Sequence, residues 1–128
     1  MKEKYKGDSF AELIGVELLE VSKGTAKAKI DIKKRHLNIH NTVHGGAIFT
    51  LADTVFAAAS NSHNAAAMAI NINISYIKAA TEGTLYAEAR EISLNRKLAT
   101  YSISVTNEKG ELIADFQGMA YRKEKRSG

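Results

Sequence analysis

The apolar residues of this chain follow two periods. In TAKAKIDI, residues 25–32, Ala and Ile alternate with Lys and Asp, which predicts a strand with one buried face. The same prediction holds for GVELLEV before it and for four later segments, MAININISYI, TLYAEAREIS, LATYSISVTN and ELIADFQGMAYR. NEKG at 107–110 predicts a hairpin turn. Because connections this short cannot hold crossover helices, we expect an antiparallel sheet.

From Gly46 to about Ser62 the period lengthens to about 3.6 residues, which predicts one long helix. One arc of this helix is apolar and comprises Ile48, Leu51, Ala52, Val55, Phe56, Ala58 and Ala59. The other arc holds small groups and a single charge, in Thr50, Asp53, Thr54, Ala57, Ser60 and Asn61. Small polar groups let a backbone or a ligand come close, so we expect this arc to be covered.

The order of the elements predicts the fold class. A short helix capped by Asp8 or Ser9 and closed by Gly15 comes first. Two strands, the long helix and four strands follow, which predicts an α+β fold with an antiparallel sheet wrapped around one long central helix. With 128 residues, 45% of them hydrophobic, the chain has enough material for one core. We therefore expect a single domain over 1–128, with about residues 1–8 and 123–128 as flexible ends.

Composition excludes several kinds of chemistry. Cysteine is absent, which excludes disulfides, thiolate metal sites and cysteine nucleophiles. No apolar run follows the lysines of MKEKYKGDSF, and nowhere do 18 apolar residues occur in a row, so we expect a soluble, cytoplasmic protein with no membrane partner. The net charge of +4 comes largely from segment ends: Lys2, Lys4, Lys6, Lys33, Lys34, Arg35 and the tail YRKEKR. Apart from Tyr5, no aromatic residue is interleaved with these charges, and no nucleic-acid-binding module is recognisable, which indicates solvated rims and no nucleic-acid partner.

Asp53 is the one Asp, Glu, Lys or Arg in the 42 residues from His36 to Ile77. It could be a solvated helix residue paired with a surface Lys. However, a carboxylate in so uncharged a segment is partly desolvated, and desolvation raises its pKa and makes it a better base. We therefore favour a functional role, such as activation of water.

His44, Gly45 and Gly46 precede the long helix and permit two interpretations. Glycines there allow unusual backbone angles and close packing, which is a purely structural role. Alternatively, the first N–H groups of the helix lack internal partners and carry partial positive charge. The N–H of Gly45 or Gly46 could then form an oxyanion hole, since no side chain blocks the approach of an oxygen.

The spacing of the glycines and Asp53 constrains any shared site. Gly45 and Asp53 are eight residues apart, which on one helix is about 12 Å along the axis. A reacting carbonyl must lie about 3 Å from both the donor and the attacking group. If both act on one substrate, they must come from different subunits, so the active form is at least a dimer with two equivalent sites.

A metal site is the alternative use of the histidines. His36, His40 and His44 are spaced four residues apart and would share one face of a helix. However, HLNIHNTVH lacks strong helix formers, so we expect no metal site. We interpret His63, beyond the long helix, as a loop residue.

The stretch LNIHNTVHGGAIFTLADTVFAAASNS resembles the hot-dog fold thioesterases, in particular acyl-CoA thioesterases of the phenylacetate-degradation type. The resemblance extends from about Phe10 to Arg122. The matching positions are Asn38, His44, Gly45, Gly46, Leu51, Ala52 and Asp53, with weaker support from Tyr76, Gly83 and the closing GMAYR. It implies a homo-oligomer in which subunits pair into a continuous sheet and dimers pair into tetramers.

The resemblance also implies residue roles. The Gly45 N–H polarises the thioester carbonyl, and Asp53 of the paired subunit acts as general base or as nucleophile. Asn38 and His44 orient the substrate, the water or the loop. The residues expected to bind substrate are Gly46, Tyr76, Lys78, Arg96 and Lys97. No separate cofactor is expected, because coenzyme A is part of the substrate.

Three departures from the family pattern stand out. Ala69 replaces a Ser or Thr that helps to hold the water in some relatives, the alanines of YIKAAT replace a frequent proline, and Arg96-Lys97 replaces a Gly followed by a basic residue. We expect hydrolysis of an aromatic or medium-chain acyl-CoA, with Ile48, Phe49 and Phe56 either lining an acyl pocket or belonging to the core. A hot-dog dehydratase or hydratase and a non-catalytic acyl-CoA-binding module remain alternatives.

Overall fold

The computed structural model describes residues 8–124, and the predicted flexible ends lie mostly outside this range. The helices are α1, Ser9–Ile14, and α2, Gly45–Ser60, with a short 3₁₀ helix at Lys34–His36. The strands are β1 Glu17–Ser22, β2 Thr25–Asp31, β3 Ala65–Tyr76, β4 Thr84–Leu94, β5 Leu98–Thr106 and β6 Leu112–Glu124. The predicted order of elements is confirmed. The helix α2 begins one residue earlier than predicted and ends at Ser60, not near Ser62.

The six strands form one antiparallel sheet in the order β1-β2-β4-β5-β6-β3. The helix α2 lies across one face of this sheet and contacts all six strands. We call one end of the sheet the Gly45 end. It is formed by Glu17, Asp31, Tyr76, Thr84, Thr106 and Leu112. The opposite end, here the His63 end, is formed by Ser22, Thr25, Ala65, Leu94 and Leu98.

The core lies between α2 and the sheet, as the helical periodicity predicts. Every residue of the predicted apolar arc is buried. Phe56 packs against Tyr101 and Phe116, with ring centroids 5.8 and 5.7 Å away. Opposite this ring, a Cβ on Gly118 would lie 2.8 Å from two Phe56 carbons, so the close approach of helix and strand requires glycine.

The strand β3 is an edge strand with an open side. A bulge between Ala69 and Asn71 interrupts its alternation, so Ile72 and Ile74 pack on the core while Ile70 is 53% exposed. Next to it, the second arc of α2 is only partly covered, since Ala57 is exposed and Asp53 is half-buried. Within residues 8–124, no helix is long and apolar enough to cross a membrane.

Candidate active site

The first turn of α2 is capped by His44. The Gly46 N–H donates to His44 Nδ1 at 2.8 Å, and the N–H groups of Ala47 and Ile48 donate to the His44 carbonyl at 2.9 and 3.3 Å. The Gly45 N–H has no hydrogen-bond partner between residues 8 and 124. Of the two glycines considered as donors, the structure therefore leaves the Gly45 N–H available and engages that of Gly46.

This cap also determines which ring nitrogen of His44 carries the hydrogen. Because Nδ1 accepts from the Gly46 N–H, the neutral ring carries its hydrogen on Nε2. The His44 side chain is exposed, so Nε2 is accessible to a ligand beside the helix start.

Asn38 organises the loop that leads into α2. Its Oδ1 accepts from the N–H groups of His40 and Thr42 at 2.9 and 3.2 Å, and its Nδ2 donates to Thr42 Oγ1 at 3.0 Å. The loop is closed further by a bridge between Leu37 and Val43. Of the roles considered for Asn38, these contacts favour orientation of the loop.

The carboxylate of Asp53 is half-buried on the open side of α2. Burial raises its pKa, and the nearby negative charge of Asp8 raises the pKa further. Within residues 8–124 no hydrogen bond or ion pair engages this carboxylate, so the pairing with a surface Lys that we considered is not observed there. A carboxylate with a raised pKa and free oxygens has the properties of a general base.

The structure separates Gly45 and Asp53 within one chain. Both residues lie on the uninterrupted helix α2, which runs from Gly45 to Ser60. At about 1.5 Å per residue, their backbones are about 12 Å apart along the axis. One bound carbonyl therefore cannot contact both residues of the same subunit.

The other predicted binding residues fall into two groups. At the Gly45 end, the Tyr76 hydroxyl donates to the Gly45 carbonyl at 3.0 Å, and Lys78 forms an ion pair with Glu111 that holds the pKa of this carboxyl below its usual value. Arg96 and Lys97 lie in the β4–β5 turn at the His63 end. Along β6 the partners of Tyr76 and Leu98, Ala114 and Tyr121, are seven residues apart, which is about 23 Å. One subunit does not bring the two groups together.

The histidines do not form a metal site in the described structure. Both ring nitrogens of His36 are engaged, one by the Lys33 N–H at 2.8 Å and one by the Ile14 carbonyl at 2.6 Å. His63 Nε2 lies 2.6 Å from Glu91 Oε2. Among residues 8–124, no three His, Asp or Glu side chains converge on one point.

No local pattern predicted that His63 would contact Glu91, 28 residues later, because tertiary packing brings the loop after α2 against β4. The buried Tyr101 also donates to Glu91 Oε2, at 2.9 Å. Burial and this bond raise the pKa of Tyr101. His63 is thus a loop residue that joins the end of α2 to β4.

The three residues considered for an acyl pocket differ in burial. Ile48 and Phe56 are 4% and 2% exposed and belong to the core. Phe49 is only partly buried, with its ring 5.6 Å from Phe116, and can still contact a ligand. Ala69, the position of the hydroxyl in some relatives, is exposed on β3 at the bulge.

Comparisons with known proteins define the class. The thioesterase superfamily model matches residues 40–114. The acyl-coenzyme A thioesterase PaaI of Escherichia coli is 32% identical over 119 residues, which cover 92% of this chain and 85% of that protein. A protein of Archaeoglobus fulgidus whose name proposes an esterase is 50% identical, over 92% of this chain and 77% of that protein.

Solved structures agree with the sequence relatives. The Escherichia coli PaaI structure has a TM-score of 0.91 and 30% identity, and the alignment covers 95% of this chain and 89% of that chain. The TT0310 protein of Thermus thermophilus has a TM-score of 0.86 and 36% identity, over 91% of this chain and 98% of that chain. The chain belongs to the thioesterase superfamily, in its hot-dog fold acyl-CoA thioesterase branch. The predicted fold class and the prediction of a thioester hydrolase are confirmed.

Proposed function

We propose that this protein hydrolyses the thioester of an aromatic or medium-chain acyl-coenzyme A, with Asp53 as general base and the Gly45 N–H as oxyanion donor. The observation that carries the proposal is the half-buried Asp53 carboxylate, whose pKa is raised and which no residue from 8 to 124 pairs. Similarity to the acyl-coenzyme A thioesterase PaaI of Escherichia coli supports the substrate class.

In the proposed reaction, the thioester oxygen accepts a hydrogen bond from the Gly45 N–H. Asp53 of the partner subunit takes a proton from water while the water oxygen bonds to the carbonyl carbon. The tetrahedral intermediate then loses the C–S bond, and the proton held by Asp53 passes to the departing sulfur. The products are the free acid and coenzyme A, and no further cofactor or metal takes part.

The open edge strand β3 supports a dimer that completes each site. The Asn61 side chain bonds the N–H and the carbonyl of Ala67 near the start of this strand. From Met68 to Tyr76 the outer side of β3 presents backbone groups that no residue from 8 to 124 pairs, and Met68 and Ile70 are 66% and 53% exposed on it. Antiparallel pairing of β3 with its copy would extend the sheet across a two-fold axis. The Gly45 end of one subunit would then lie beside the His63 end of the other, with the two α2 helices antiparallel.

The same arrangement gives the separated binding residues a common role. Tyr76 and Lys78 of one subunit and Arg96 and Lys97 of the other would flank one coenzyme A, whose phosphates attract basic groups. Phe49, the partly buried aromatic residue on the Asp53 side of α2, would contact the acyl group. With an acyl-coenzyme A substrate we expect a cytoplasmic enzyme. Mass measurement in solution would distinguish a dimer from the tetramer predicted by the resemblance.

The test is hydrolysis of phenylacetyl-, hydroxybenzoyl- and straight-chain acyl-coenzyme A, monitored by measuring the coenzyme A thiol that is released. We expect measurable turnover with wild-type protein and a loss of about 100-fold or more in Asp53→Ala, because general-base catalysis contributes about 10²- to 10⁴-fold. Asp115→Asn is the matched control, since Asp115 is a partly buried aspartate of β6 outside the site. Wild-type turnover in Asp53→Ala, with the assembly intact, would overturn the proposed mechanism.

A further inference from the structure

Tyr76 covers the first residue of α2. Its hydroxyl donates to the Gly45 carbonyl at 3.0 Å. A Cβ on residue 45 would lie 3.1 Å from both Cζ and Oη of Tyr76, inside the ordinary contact distance of about 3.5–4.0 Å. Tyr76 thus touches the residue whose N–H is the unoccupied donor of the helix start.

The two peptide groups that flank the Gly45 Cα are both held. The Gly45 N–H shares its peptide plane with the His44 carbonyl, which accepts from Ala47 and Ile48. The next plane contains the Gly45 carbonyl, which accepts from Tyr76. The two backbone torsions of Gly45 are the hinges between these planes, and glycine restricts such torsions less than any other residue.

We infer that Tyr76 is a positioning residue that holds the backbone of Gly45. The Gly45 N–H is then already directed toward the thioester oxygen before the reaction begins. Preorganised donors stabilise an oxyanion because they need no reorganisation during the reaction. The inference rests on the proposed thioester hydrolysis and changes the role expected for Tyr76. A substrate-binding residue acts mainly on KM, whereas a residue that orients the oxyanion donor acts mainly on kcat.

The environment of Tyr76 keeps its hydroxyl protonated and able to donate a hydrogen bond. Burial raises the pKa of its phenol, so the hydroxyl keeps its proton throughout the neutral range. The side chain remains 52% exposed, which leaves a substrate access to the same surface. Loss of one such hydrogen bond corresponds to about a two- to twelve-fold change in rate.

The test compares Tyr76→Phe, which keeps the ring and removes the hydroxyl, with Tyr76→Ala, which removes both. We expect Tyr76→Phe to lower kcat about two- to twelve-fold with KM changed less than about two-fold, and Tyr76→Ala to lower kcat further. Tyr86→Phe is the matched control, because Tyr86 lies on β4 with its side chain 40% exposed and away from α2. An unchanged kcat, or an effect confined to KM, in Tyr76→Phe would overturn the inference.

A double-mutant cycle tests whether Tyr76 acts through Gly45. In Gly45→Ala the new Cβ lies 3.1 Å from the tyrosine ring and forces it to shift, which weakens the bond from Tyr76 to the Gly45 carbonyl. Adding Tyr76→Phe should therefore lower kcat less than it does in the wild type. Fully additive losses would show that Tyr76 works independently of Gly45.

A measurement without substrate separates this inference from the proposed function. The ¹⁵N order parameter of the Gly45 amide should be about 0.85 in the wild type and fall in Tyr76→Phe, while Tyr86→Phe leaves it unchanged. The proposed function fails if wild-type protein hydrolyses no acyl-coenzyme A. The positioning role fails if the order parameter is equal in wild type and Tyr76→Phe.

Discussion

Replacing Asp53 by Asn should stabilise the protein while removing its activity. The substitution keeps the shape of the side chain and removes a charge that is half-buried and unpaired by residues 8–124. As a general base, Asp53 is expected to contribute about 10²- to 10⁴-fold to kcat, or about 2.7–5.4 kcal/mol at about 1.36 kcal/mol per tenfold change. If Asp53 were instead a surface residue in an exposed ion pair, it would contribute only about 0–1 kcal/mol to stability and nothing to kcat.

The stability effect has a defined pH dependence. Burial raises the pKa of Asp53 in the folded state. At a pH between the unfolded and the folded pKa, the folded state therefore holds a proton that the unfolded state has released. Stability therefore falls as pH rises from the unfolded to the folded pKa, and the charged carboxylate destabilises the fold above both. The amide of Asn carries no charge to desolvate, and an unpaired charge costs more than an unpaired neutral group by an amount on the order of 1 kcal/mol. Asp53→Asn should therefore raise Tm by about 4 °C at pH 7.5. This gain should disappear at a pH below the unfolded pKa.

The assay combines turnover with thermal denaturation at both pH values. Asp115→Asn again serves as control, with no gain in Tm and no loss of turnover expected. A variant that keeps wild-type turnover, or whose Tm falls at pH 7.5, would refute the assignment of Asp53 as a desolvated base.

Three further predictions follow from the same geometry. The acid limb of kcat/KM should lie above the usual range of an aspartate, and Asp8→Asn should move it to lower pH in a pH–rate profile, since the Asp8 charge raises the pKa of Asp53 while Asn keeps the α1 cap. Gly118→Ala should destabilise the fold by about 1–3 kcal/mol in urea denaturation, and Phe56→Leu should recover part of the loss, because the new Cβ meets the Phe56 ring. Ala69→Ser should raise kcat about two- to twelve-fold if a hydroxyl there holds the water, and an unchanged kcat would exclude that role.

The sequence predicted the elements well because each has a strong local signal. Burial of the whole apolar arc of α2 follows from its period, and the cap at Asp8 and the αL residue Gly15 follow from residue types with one dominant use. The charge-poor segment around Asp53 similarly indicated a desolvated carboxylate. These predictions needed no knowledge of which strands pair.

Features that depend on strand order could not be predicted in the same way. The placement of β3 at the sheet edge, where it pairs with β6 and not with β4 that follows it in sequence, depends on non-local pairing and leaves one side of β3 open. The bulge after Ala69 exposes Ile70 in spite of a regular alternation of residues. The contact of Tyr76 with Gly45 joins residues 31 positions apart, so no local pattern indicated it.

The most direct test of the account is complementation between two inactive subunits. Gly45→Val blocks the donor, Asp53→Ala removes the base, and co-expression at equal levels makes about half of the dimers hybrids, each with one whole site of two. We predict at most about 1% of wild-type turnover for either variant alone and about a quarter of wild-type activity for the mixture. If the mixture is as inactive as its parents while the hybrids are shown to form, the two residues do not meet across subunits and the account is contradicted.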